Sequence, residues 1–382
     1  MTHIITQTGG LRRQALASLI LPLLFILIAP ALTGCTRAAR EKAIKIAQAG
    51  DTLSKQMAEY YGSLQQDTVD TYELNAFREA FLLQQKYDED VKNGKKAPRL
   101  SFEMTQEDKE IAEEYKNTYK ALSSRIGLAR AMQGAYGSFL KLSEYDSTKE
   151  ISDNIGGLIE AVNIAAVLSL PDPNGMMVST VVQGLFKDIV TELTTVQQNH
   201  KLLVESNRLI PILEKIKKVF DAEKILYGGD ALVKNSKGEG IKVSGIAGRR
   251  AATYKSVARQ LVENDAVITT AFINRVLSRY QLRWPDSQMP FTQPALKAGI
   301  VKMIEARAYP LARISADAAD GISNGLGKLI ELHRQLADNK PLSLQELTNN
   351  SATLQILLNQ LKREDVPSDF ITEILKALQK GK

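Results

Sequence analysis

Apolar side chains recur at helical spacing through most of the chain. Ile46, Gly50, Leu53, Met57, Tyr60 and Leu64 step by three and four, lining one face of a helix. Asp67 and Thr68 interrupt this stripe as either a break or a bend, and Tyr72, Ala76, Ala80, Leu83 and Tyr87 carry it onward. The polar run from Asn93 to Pro98 contains both a glycine and a proline and reads as a loop. Thr105 with Asp108 forms a capping box that opens the next helix, whose stripe is Ile111, Tyr115, Leu122, Ile126, Ala129, Tyr136 and Leu140. Strand-like alternation is confined to a faint Ile241-Lys242-Val243.

A longer pattern begins after Gly175. Val178, Val182, Leu185, Ile189, Leu193 and Val196 continue into His200, Leu203, Asn207 and Ile210, with a second stripe of Leu202, Leu209, Leu213, Ile216 and Phe220 beside them. A helix over 176–227 would run about 75 Å, kinked at Pro211. The expected fold is therefore all-α: an elongated antiparallel helical bundle with long coiled-coil-like helices. Residues 228–248 hold Gly228, Gly229, Gly238, Gly240, Gly245 and Gly248 among Lys and Ser. They read as an exposed flexible loop separating a long-helix part, 35–227, from a C-terminal helical part, 249–382. In the latter, helices are expected over 251–283 and 295–338, the second containing Pro310. Ser343 with Glu346 caps another, to about residue 363, and Ser368 caps a short last one.

The segment 158–186 differs from the rest. From Ala161 to Phe186 its only charged residue is Asp172, and Pro171-Asp172-Pro173-Asn174-Gly175 forms a tight turn between two apolar arms. This is a central apolar helical hairpin. It serves either as bundle core or as a membrane- or partner-facing element presenting Val167, Leu168, Leu170, Met176, Met177 and Val181. Each arm is shorter than the roughly 20 residues that span a bilayer. Gly127, Gly134 and Gly137 form a small-residue surface on the preceding helix, where another helix, such as that starting near Gly156-Gly157, can approach closely.

Composition adds little until the first residues are considered. The 382-residue chain is 44% hydrophobic and 24% charged, an ordinary globular balance. Arg12 and Arg13 precede an apolar run from Ala15 to Leu32, then small residues, the layout of a secretory signal peptide over residues 1–34. The ending Leu32-Thr33-Gly34-Cys35 resembles the lipobox of bacterial lipoproteins, and it holds the only cysteine of the chain. The resemblance implies cleavage between Gly34 and Cys35 and lipidation of Cys35. It also implies a lipid-anchored home in the bacterial cell envelope; Thr36, in place of Asp, points to the outer membrane facing the periplasm. Three acyl chains make such an anchor effectively permanent. Cleavage takes two of the 49 basic residues and leaves the 43 acidic ones, a net charge of about +4. The short Lys95-Lys96 and Arg249-Arg250 runs read as solvated surface rather than a nucleic-acid footprint.

Catalytic signatures do not emerge. Of three histidines, His200 falls in an apolar stripe and His333 on a charged helix end expected to be exposed; neither completes a zinc motif. Ser236-Lys237-Gly238-Glu239-Gly240 and Gly245-Ile246-Ala247-Gly248-Arg249 lack the order of a P-loop. No catalytic residue, metal or cofactor is expected. The sequence therefore points to a non-enzymatic envelope lipoprotein acting as scaffold, adaptor or tether. Its partners would be the bilayer, through lipidated Cys35, and a protein or a second copy through its helices, with no nucleic acid. The alternative is a membrane-active helical protein using hairpin 158–186, which resembles α-helical pore-forming toxins in outline; a peptidoglycan-processing enzyme is a third class.

Overall fold

The computed structural model describes residues 11–95, 106–144, 148–168, 170, 202–228, 230–234, 240–263, 274, 277–278, 281–283 and 294–361, with side chains for most of them from Arg40 onward. Seven helices stand among these residues: α1 (Leu11–Lys92), α2 (Gln106–Glu144), α3 (Thr148–Val167), α4 (Leu202–Tyr227), α5 (Ile246–Glu263), α6 (Pro294–Ala337) and α7 (Gln345–Leu361). Helix-on-helix packing makes the body. Between α4 and α5 lies one antiparallel hairpin, β1 (Asp230–Lys234) with β2 (Gly240–Ser244), pairing Leu232 with Lys242 and Val233 with Ile241.

One core joins α1, α2, α3, α4, α6 and α7. The first predicted stripe is its spine: Ile46, Leu53, Met57, Tyr60 and Leu64 are all buried, packed with Leu122, Met132, Phe220, Ile322, Leu326 and Leu354. Contacts descend α2 as they climb α1, from Tyr136 over Gly50 to Ser123 and Tyr119 at Gln65. The same reversal relates α1 to α6, from Asn339 at Lys42 to Ser315 at Tyr60. Because α6 and α7 share this core, the C-terminal helices and the N-terminal ones enclose a single interior.

Glycine allows the closest approach. A Cβ built on Gly50 would lie 2.4 Å from the Tyr136 ring. Gly50→Ala should therefore cost about 1–3 kcal/mol by overpacking, against a helix-propensity gain of about 1 kcal/mol. Chemical denaturation measures this, and an unchanged midpoint would mean that the two helices have room to part.

Two expectations change. The helix does not break at Asp67-Thr68: the Thr68 hydroxyl donates to Leu64 O at 2.9 Å, and α1 runs on to Lys92. Its buried face does rotate, however. Leu74 is buried in a second cluster with Tyr254, Val257, Leu261 and Ile300, against which the half-buried Phe77 and Phe81 pack, while Leu83, expected inward, is 46% exposed. The reason is a change of neighbour, from the main bundle to α5. The second correction concerns 228–248, expected as a flexible loop. Its described part forms the β-hairpin and the start of α5, and a Cβ on Gly245 would meet Gly228 O at 2.4 Å. The Gly248 N–H donates to Gly228 O at 3.1 Å. These glycines serve close backbone packing, not freedom.

The remaining expectations fall variously. α6 spans the predicted helix with Pro310 inside it, and Pro211 lies within α4. α2 starts one residue after Thr105. At the start of α7, the Ser343 N–H is taken by Gln335 Oε1 at 3.0 Å and Glu346 pairs with Lys328, so this helix start is tied to α6 instead of closing a capping box. The turn Pro171–Gly175, the stretch 171–201 with His200, and the last helix lie outside the described residues.

Candidate functional site

Cys35, expected from the sequence as the lipidation site, falls within the long helix α1. Its side chain is outside those described, but its surroundings in the chain are informative. Among the residues whose burial is described, the first in the core is Ala43, eight positions on. From Arg40 onward, no helix among the described residues is long and apolar enough to cross a membrane.

The first arm of the apolar segment packs into the bundle. Leu158, Val162, Ala165 and Leu170 are buried and Leu168 is packed against the same core. Val167 is 80% exposed and Ile164 49%. Met176, Met177 and Val181 lie outside the described residues. Val162→Ala should therefore cost about 2 kcal/mol, and Val167→Ala less than about 0.5 kcal/mol. Equal losses in thermal or chemical denaturation would show that the two faces are not distinguished in this way. Near Gly134 the small-residue surface of α2 meets α3, where Asn154 Nδ2 donates to Ser138 Oγ at 2.5 Å. Gly127, Gly137 and Gly157 have open space where a Cβ would stand.

At the centre of the bundle is a polar network that the stripes did not disclose. Arg125 is fully buried and grips Glu223 through two bonds, Nε to Oε2 at 3.0 Å and Nη2 to Oε1 at 2.6 Å. Its Nη1 donates to Ala165 O at 2.8 Å, tying α2, α3 and α4 together. The Tyr227 hydroxyl donates to Glu223 Oε2 at 2.5 Å, within an aromatic group of Tyr60, Tyr61 and Phe220. Burial pushes the hydroxyls of Tyr60, Tyr61 and Tyr227 well above their usual range, so they remain protonated donors. The two parallel bonds give the pair the bidentate geometry of a strong charge-assisted contact. The only cue in the sequence was position: Arg125 stands three residues after Leu122 and four before Ala129, within an apolar face.

His333, expected on an exposed helix end, is instead buried between Tyr136 and Phe139. Its neighbours Glu331 and Arg334 face outward, but the α6 period turns position 333 inward with Leu329 and Leu336. Its Nε2 lies 3.1 Å from Tyr136 Oη, and desolvation lowers its pKa to about 3, so the ring is neutral.

Arg249 and Arg250 are likewise engaged rather than solvated. Arg250 spans two carboxylates one turn apart on α1, Asp67 at 3.0 Å and Asp70 at 2.8 Å, with all three side chains nearly buried. Burial raises the Asp67 pKa to about 7 against the opposing pull of Arg250. Arg249 reaches Glu114 at 2.7 Å. Together these pairs pin the start of α5 across α1 and α2.

Between those three helices and the end of β2 lies a cleft of about 340 Å³. Tyr72 and Tyr115 stack along one wall with centroids 4.5 Å apart, and Ile111, Ile246 and Ala252 add apolar surface. Thr68, Thr71 and Thr118 line it with hydroxyls that each donate to the carbonyl four residues earlier, at 2.9, 2.7 and 2.9 Å. Asn75 and Thr253 also line it, as does the Arg249–Glu114 pair. Among the described residues no group of three or more His, Cys, Asp or Glu is placed to hold a metal ion. Set against protein-family models, curated proteins and solved structures, the chain matches none.

Proposed function

We propose that this protein is a bacterial envelope lipoprotein, anchored by lipid on Cys35 and acting as a non-enzymatic scaffold or tether on the periplasmic face of the outer membrane. The observation that carries this reading is the Leu32-Thr33-Gly34-Cys35 sequence, holding the single cysteine, in the N-terminal part of the helix that becomes the spine of the core. Eight residues from Cys35 to Ala43 span about 12 Å as helix and about 28 Å at full extension. The body is thus held against its membrane, not on a long leash. From Cys35, α1 continues to Lys92, about 85 Å as straight helix, which supports an elongated antiparallel bundle reaching away from the anchor.

A scaffold also fits the way the charges are used. The arginines nearest the interior and the cleft are bound to carboxylates, Arg125 to Glu223, Arg250 to Asp67 and Asp70, and Arg249 to Glu114, and these pairs lock helices to one another. A protein partner has apolar footholds in the exposed Leu82, Leu83 and Val91 on the far part of α1. The membrane-active reading draws on the exposed Ile164 and Val167, while the buried Leu158, Val162 and Leu170 favour the scaffold. Metabolic labelling with palmitate tests the anchor. The unaltered chain should be labelled and sediment with membranes, and Cys35→Ala should lose the label. Persistent labelling of Cys35→Ala would end the lipoprotein reading. Leakage of liposomes caused by the purified chain would favour the membrane-active one.

A further inference from the structure

We infer that the cleft between α1, α2 and α5 is a binding site for a neutral oligosaccharide. The inference stands apart from the lipid anchor, because every group it uses lies in the folded body.

Three properties of the cleft select that chemistry. The first is charge. Its cation, Arg249, is already bound to Glu114 at 2.7 Å, so the pair presents no net charge to draw a phosphate, a carboxylate or an ammonium group. The pair's remaining N–H groups and carboxylate lone pairs still offer donors and acceptors side by side. The second is the polarity of the lining. Thr68, Thr71 and Thr118 spend their hydroxyl protons on backbone carbonyls, so toward a ligand they can only accept. Asn75 and Thr253 have no hydrogen-bond partner among the described residues and can both donate and accept. A lining rich in fixed acceptors calls for a ligand rich in O–H donors. A peptide offers one backbone N–H per residue, whereas a sugar ring offers two or three hydroxyls, each able to donate and accept.

The third property is the apolar surface set among these groups. Tyr72 and Tyr115, stacked on one another, line the cleft with the ring surface their stack leaves open, and Ile111 and Ala252 line it too. Sugar rings carry C–H groups on their faces and hydroxyls around their edges, which matches aromatic walls with polar groups between them. Burial holds the Tyr115 hydroxyl above its usual range, first by desolvation and then by Tyr119, Glu73 and Tyr72, so it stays a neutral donor. A volume of about 340 Å³ lies at the small end of ligand sites and suits one or two sugar rings of a longer chain left in solvent. The walls are three helices, α5 braced to α1 by Arg250 on Asp67 and Asp70 and to α2 by Arg249 on Glu114, so the site is preformed and loses little entropy on binding.

The experiment uses the full chain in a sugar-free detergent, titrated calorimetrically with chitotetraose and with cellotetraose. At least one should bind with a dissociation constant below about 1 mM. Asn75→Ala and Thr253→Val should each weaken it about five- to tenfold, the loss expected for one hydrogen bond, while Ile356→Ala on the exposed face of α7 should not. On the unaltered chain, the bound sugar should slow amide exchange in peptides covering 68–75, 111–118 and 246–253. That readout needs no variant to fold. The inference is overturned if neither sugar binds, if both cleft substitutions leave binding unchanged, if protection falls elsewhere, or if tetra-alanine binds and the sugars do not.

Discussion

Glu223→Gln should destabilise the folded chain by about 3–5 kcal/mol, a large share of the 5–15 kcal/mol typical of a whole protein. The substitution keeps the size of the side chain and a partner for the Tyr227 hydroxyl, but it leaves Arg125 charged, fully buried and without a counter-ion. The cost lies in the stranded charge rather than in the lost attraction. Arg125→Met should be of similar size, because it strands the carboxylate and also releases Ala165 O, now bonded to Nη1 at 2.8 Å. The double variant Arg125→Met with Glu223→Gln leaves no buried charge and keeps an acceptor for the Tyr227 hydroxyl, so it should recover most of the loss and stay about 1–3 kcal/mol below the parent, the cost of the unbonded carbonyl. Chemical denaturation of the four chains closes the cycle. Additive losses would mean that the two residues do not act as one buried pair.

Acid should produce the second large effect, and in two opposing parts. His333 has a pKa of about 3 when folded against 6.5 when free, so below pH 6.5 the unfolded chain takes a proton that the folded chain refuses. Stability from this group is complete above 6.5 and falls toward pH 3 by up to about 1.4 kcal/mol per unit. Asp67 works the other way. Its folded pKa of about 7 lies above the ordinary 3.8, so between these values the folded chain holds a proton that the unfolded chain releases. Its contribution is complete below 3.8 and is lost as pH rises through 7. Between pH 6.5 and 3.8 the two slopes nearly offset each other. His333→Phe should remove the first, making the protein gain stability relative to the parent as pH falls. Asp67→Asn should remove the second and make it more acid-sensitive. Urea midpoints from pH 7.5 to 3.5 read these differences, and parallel profiles for all three chains would show that neither group is as shielded as its burial implies.

The helices were legible because their burial is periodic. Ile46 to Leu64 on α1 and Leu213, Ile216 and Phe220 on α4 turned inward as their spacing required. The rotation of the α1 face at Leu74 was not legible, because period alone does not say when a helix changes neighbours. Nor does composition distinguish a glycine that frees the chain from one that lets two backbones touch, which is why Gly228 and Gly245 were misread. The polar groups failed for a different reason. Arg125 and Glu223 are 98 residues apart, and each alone resembles an interruption in an apolar face. His333 was judged by its charged neighbours in sequence, although a helix turns adjacent residues about 100° apart. The cleft draws on residues 68–75, 111–118 and 244–253, so no local motif could announce it.

The central claim is that Cys35, in the N-terminal part of the core helix, carries lipid. The intact mass of the protein purified from its own membranes tests this most directly. The account predicts a chain that begins at Cys35, lacks residues 1–34, and is heavier than residues 35–382 by a diacylglyceryl group and one further acyl chain. A mass equal to the full 382-residue chain, or to a cleaved chain with an unmodified cysteine, would contradict it.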